Sequence, residues 1–227
     1  MRSLRPSVFA LLAIPLLLTG CQQLFTTSLA SSLARDSYTI PANISNEDAA
    51  ALLADPELTP AALTSLLGVL NDQAEAGDSG AAALAAEAAV GASGVSGTVT
   101  SAITEALNTG TVDTASLVSA LVSGASSEVV SGLSRLSDPN VLAAADLSPT
   151  ELVVAAALLA ASALPPGVTN PSDLSGTNPG DSLYDYQHNP DVVLAASLIT
   201  TAGTDLSSSG IDPALAQQLA DLLNTGA

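Results

Sequence analysis

Beyond about residue 45 the apolar positions of this chain recur at spacings of three and four. Leu63, Leu66, Leu67 and Leu70 mark one such face, and Val118, Val122, Val129, Leu133 and Leu136 mark a second. Leu215, Leu219, Leu222 and Leu223 mark a third, ended by a glycine stop at Gly226. These spacings place side chains on one side of a 3.6-residue helix, whereas a half-buried strand would alternate. Residues 153–164 are apolar nearly all round, which predicts a buried central helix. This segment is too short to cross about 30 Å of hydrocarbon.

Polar residues punctuate the pattern. Thr59-Pro60, Asp138-Pro139, Ser148-Pro149, Asn189-Pro190 and Asp212-Pro213 each place a capping side chain before a proline. Proline suits the first helical position because its missing N–H has no intrahelical partner there, and the preceding side chain accepts from a free N–H. Ser148 with Glu151 also spells a capping box. Ser45 with Asp48 is a weaker start, for a short helix that Asp55-Pro56 closes. Alanine, roughly a fifth of the chain, is the strongest helix former.

The expected fold is therefore all-α: an irregular bundle of alanine-rich, proline-capped helices with one long loop. The alternative is a degenerate helical-repeat array, but the capped starts are separated by 79, 10, 41 and 23 residues, which gives no period. Two stretches resist the scheme. Gly91, Gly94 and Gly97 interrupt residues 90–100, and the reading adopted is a helix that begins after Gly97 and continues through Val99, Ile103 and Leu107. Residues 165–188 hold four prolines and three glycines and read as a loop throughout.

Charge narrows the chemistry. The chain has 22 acidic residues against four basic ones, all arginines, and a formal net charge of −18. A nucleic-acid binder needs several cations to displace counterions, so that class is excluded. Without lysine there is neither a phosphate-binding P-loop nor a Schiff-base nucleophile. One cysteine and one histidine leave no disulfide, iron–sulfur site or zinc site built on those residues. Gly94-Val95-Ser96-Gly97 falls one residue short of a nucleophile elbow. No catalytic residue, metal-ligand set or cofactor is expected.

The first 21 residues carry two arginines, Arg2 and Arg5, then an apolar core of residues 8–18, then Leu18-Thr19-Gly20-Cys21. The core is too short for a permanent span and fits a cleaved signal peptide. This run resembles the signal and lipobox of a bacterial lipoprotein precursor, and it holds the only cysteine. The resemblance implies a diacylglyceryl thioether on Cys21, cleavage before it and an acylated new N-terminus. Two or three acyl chains make a stable membrane anchor. Gln22 resembles the second mature residue of lipoproteins exported to the outer membrane, if the host has one. The expected organisation is a signal peptide at 1–20, a lipid-anchored tether at 21–44 and a helical domain at 45–227.

One segment concentrates unusual side chains. Asp181-Ser182-Leu183-Tyr184-Asp185-Tyr186-Gln187-His188-Asn189-Pro190-Asp191 holds the sole histidine and two of the three tyrosines. Tyr184, Asp185, Tyr186 and His188 are the candidate binding residues, because tyrosine pairs an apolar ring with a polar tip. The competing reading is that the tyrosines fasten the loop to the bundle while His188 and Asn189 cap the next helix. Asn170, Asp173, Asn178, Asp181 and Asp185 offer oxygen ligands for calcium, but their spacing is not that of an EF-hand. The functional expectation is a membrane-anchored, non-catalytic helical lipoprotein that binds or scaffolds another envelope component. The alternative is a carboxylate-based envelope enzyme or a calcium-dependent binding protein using residues 170–191.

Overall fold

Side-chain caps begin most of the helices. The structure, a computed structural model, describes residues 40–109, 113–168 and 173–209. Of these residues, 72% are helical and none lies in a strand, so the fold is all-α. In chain order the helices are α1 (Asn46–Leu53), α2 (Pro60–Glu75), α3 (Ser79–Ala92), α4 (Ser96–Thr109) and α5 (Thr114–Gly124). Then come α6 (Ser127–Ser134), a 3-10 turn (Arg135–Ser137), α7 (Pro139–Ala144), α8 (Pro149–Ser162), α9 (Ser182–Gln187) and α10 (Pro190–Ser209).

Thr59, Asp138 and Ser148 cap α2, α7 and α8 just before a proline, and Ser148 and Glu151 complete their capping box. Asn189 accepts the Asp191 N–H at 2.9 Å at the start of α10. Ser45 caps α1, which ends at Leu53, before Asp55-Pro56. Asp78, Asp113 and Ser126 cap α3, α5 and α6 by side chain with no proline after them. Asp212-Pro213 and the leucine face at 215–223 lie outside the described residues, as do Cys21 and all of residues 1–39.

Two helices make the centre. Ten residues of α8 and eight of α3 are buried, and neither helix has a polar face. A helix without a polar face is stable only when covered on all sides. Accordingly α3 packs against α1, α2, α6 and α7, and α8 packs against α4, α5, α6 and α10. Contacts between helices so distant in sequence exclude the repeat array, in which each unit touches only its neighbours. Alanine and glycine let the axes approach. A Cβ on Gly132 of α6 would sit 2.9 Å from the Ala85 carbonyl oxygen of α3 and 3.0 Å from Leu67 Cδ1. Among the described residues no single helix is long and apolar enough to cross a membrane.

Four sequence readings change. The helix expected after Gly97 starts at Ser96, and α3 runs through Gly91 before breaking at Gly94, where φ is +67°. Gly97 thus falls in a first helical turn, where glycine's entropic penalty is smaller than in a helix interior. The second apolar face is split between α5 and α6. Val118 and Leu121 of α5 are buried, whereas Val122 is 48% exposed, because α5 buries only a narrow stripe. The segment read as loop throughout contains the short helix α9, since Asp181 and Ser182 close a turn that starts it. Finally, residues 40–44, assigned to the tether, pack on the domain: Ile40 and Ile44 touch the core. Gln73 donates to the Ala42 and Ile44 carbonyls at 3.1 and 3.0 Å.

Candidate functional site

The histidine–tyrosine segment is built on local hydrogen bonds. Asp181 Oδ2 accepts the Asn178 N–H at 3.0 Å, and Asp185 Oδ1 accepts the Gly180 N–H at 3.0 Å. Ser182 Oγ accepts the Ser175 N–H at 3.1 Å, and the Leu183 N–H returns to the Ser175 carbonyl at 3.2 Å. Gly176, at φ +96°, leaves no room for a side chain, because a Cβ there would run into Asp181. These bonds hold the chain at residues 175–180 against the start of α9.

Within α9 the candidates part. Tyr186 is 4% exposed and packs with Leu174 and Val192 in a small core of its own, joined by Leu164, Val168 and Leu183. Burial pushes its phenol up to about 12. Tyr186 is therefore the fastener that the competing reading described. Tyr184 is half-buried and Asp185 and His188 are exposed. The Tyr184 and His188 rings stack, with centroids 3.9 Å apart and planes 17° from parallel. His188 Nδ1 lies 2.8 Å from the Tyr184 carbonyl oxygen. A carbonyl only accepts, so Nδ1 is the donor in this bond. Asn189, not His188, caps α10.

The structure therefore leaves Tyr184, Asp185 and His188 at the surface of α9 and places Tyr186 in the interior. Of the proposed oxygen ligands, Asn170 lies outside the described residues, and Asp181 and Asp185 serve local N–H groups. Among the described residues no three His, Cys, Asp or Glu side chains are grouped to hold a metal ion.

A second polar centre was not read from the sequence. Asn71 is 7% exposed, donates from Nδ2 to the Glu128 carbonyl at 3.0 Å, and receives the Arg135 guanidinium. It lies under an open hollow of about 280 Å³ between α2 and α6, which is also lined by Asp72, Glu75 and Glu128. Glu128 is held below its usual value by its own backbone N–H and then by the Ser127 hydroxyl. The available signal was positional: Asn71 follows Leu67 by four residues on the stripe that α2 buries.

No family model, curated protein or solved structure matches this chain.

Proposed function

We propose that this protein is a lipid-anchored, non-catalytic helical lipoprotein that binds or scaffolds another component of the cell envelope. The observation that carries this reading is Leu18-Thr19-Gly20-Cys21 after a short basic and apolar leader, with no other cysteine in the chain. The anchor places the domain at a membrane surface, the outer membrane in a diderm host. The exposed side of α9 is the surface assigned to the partner. A stacked Tyr184–His188 pair fixed by a hydrogen bond loses little conformational entropy on binding, which favours recognition. Asp185 beside it supplies charge.

The test joins both parts. Wild type should take up a clickable fatty acid and capture a partner when crosslinked in its native host. Cys21→Ala should lose the label and leave uncleaved or mislocalised precursor. Label persisting in Cys21→Ala would defeat the anchor. Capture that survives Tyr184→Ala with His188→Ala would defeat the assigned surface.

A further inference from the structure

Glu87 is the one ionisable side chain of α3, a helix otherwise made of small and apolar residues. Its carboxylate is half-buried and reaches across the fold, where Oε1 accepts the Asp146 backbone N–H at 2.8 Å. Asp146 lies in the linker between α7 and α8. The charged groups acting on Glu87 are Asp146 from that linker and Glu151 from the first turn of α8, both acidic. Glu151 is already engaged, accepting the Ser148 N–H at 2.8 Å and its hydroxyl at 2.6 Å. Arg135, which enters the fold between α6 and α7, is turned to Asn71 and Glu75 of α2 instead. A partly desolvated carboxylate thus sits between two like charges, with its clasp on the linker that leads into the central helix.

We propose that Glu87, which clasps the α7–α8 linker, is a proton-uptake site through which the fold gains stability as the surroundings acidify. Protonation places one proton on one carboxylate oxygen. The other oxygen still accepts the Asp146 N–H, more weakly than the anion does, while the larger cost of desolvation is relieved together with the repulsion. Burial is the largest influence on Glu87 and raises its pKa above the usual 4.5. The Asp146 N–H lowers it, and the Asp146 and Glu151 charges raise it further. The folded chain therefore holds this proton more tightly than the unfolded chain. The stabilisation is complete below the unfolded value of 4.5 and is lost as pH rises through the raised folded value.

The experiment is thermal melting of the full chain from about pH 8 to about pH 5, wild type beside Glu87→Gln. Wild type should gain several degrees on acidification. Glu87→Gln, neutral with an acceptor in the same place, should melt higher than wild type at the alkaline end and gain less. Carbon-13 NMR of the Glu87 carboxyl should give a midpoint above 4.5 that moves down in Asp146→Asn. Equal pH slopes in wild type and Glu87→Gln would overturn the proposal, as would a Glu87 midpoint at or below 4.5. If Glu87→Gln fails to fold, the NMR midpoints in wild type and Asp146→Asn decide the question.

Discussion

Arg135 closes over the end of α2 by gripping Asn71 twice: Nη2 donates to the Asn71 carbonyl at 3.1 Å and Nε to its Oδ1 at 3.3 Å. Asn71 in turn donates to the Glu128 carbonyl, so one buried amide ties α2 to α6 and to the turn that follows it. The cation also lies against the negative end of the α2 dipole. Glu75 stands 3.8 Å from Nη2 but is 71% exposed, which makes it a weak partner.

The three residues should therefore respond unequally. Asn71→Ala removes the side-chain acceptor of Arg135 Nε and the donor to the Glu128 carbonyl, while the backbone acceptor of Nη2 stays, and should lower stability by about 2–3 kcal/mol. Glu75→Gln should change it by less than about 0.5 kcal/mol. Urea unfolding of the two variants checks the order. Similar losses in both would mean that the exposed ion pair, and not the amide, holds this junction.

Two glycines make an opposed pair. Gly132→Ala would drive a methyl into the Ala85 carbonyl, a backbone atom that cannot rotate away, and should destabilise by about 1–3 kcal/mol. Gly68→Ala, inside α2 with nothing within 4 Å of the new Cβ, should stabilise by about 0.5–1 kcal/mol. Melting points moving in the same direction would contradict the packing of α6 on α3.

The helices were legible where periodicity and capping chemistry act locally: Thr59, Ser148 and Leu66 do in the structure what their spacing announced. What escaped depends on distance along the chain. Nothing near Gly132 says that Ala85 lies against it, and nothing near Asn71 says that Arg135, 64 residues on, will reach it. Val122 and Val118 share a period, yet α5 meets α8 along too narrow a stripe to cover both. In the candidate site, composition drew attention to Tyr184, Tyr186 and His188 together. Only the packing of Leu174 and Val192 separates the inward ring from the outward pair.

The cap of α3 should show an acid limb opposite in sign to that of Glu87. Asp78 accepts the Ala81 N–H at 3.0 Å and the Asn46 amide at 3.1 Å, and these bonds hold it below the usual 3.8. Its stabilisation is present above 3.8 and is lost as pH falls through the lowered folded value. Asp78→Ala should lower the melting point at neutral pH, with the difference from wild type shrinking in strong acid. Asp78→Ser, which keeps an N-cap acceptor, should recover much of the loss. A difference constant across that range would mean that the carboxylate charge contributes nothing to the cap.

The two tyrosines of α9 should separate cleanly. Tyr186→Ala empties the small core around Leu174 and Val192 and should lower stability by about 3–5 kcal/mol. Tyr184→Ala with His188→Ala removes a stacked pair at the surface and should leave the melting point nearly unchanged while weakening partner capture. Alkali supplies a further check on Tyr186. Its phenol, raised from 10.0 to about 12 by burial, keeps its proton in the folded chain after the unfolded chain has lost it. Its contribution is thus whole below 10.0 and disappears as pH climbs to about 12. Tyr186→Phe should flatten that alkaline decline. An alkaline decline as steep in Tyr186→Phe as in wild type would mean that this ring is not the one buried beside Leu174 and Val192.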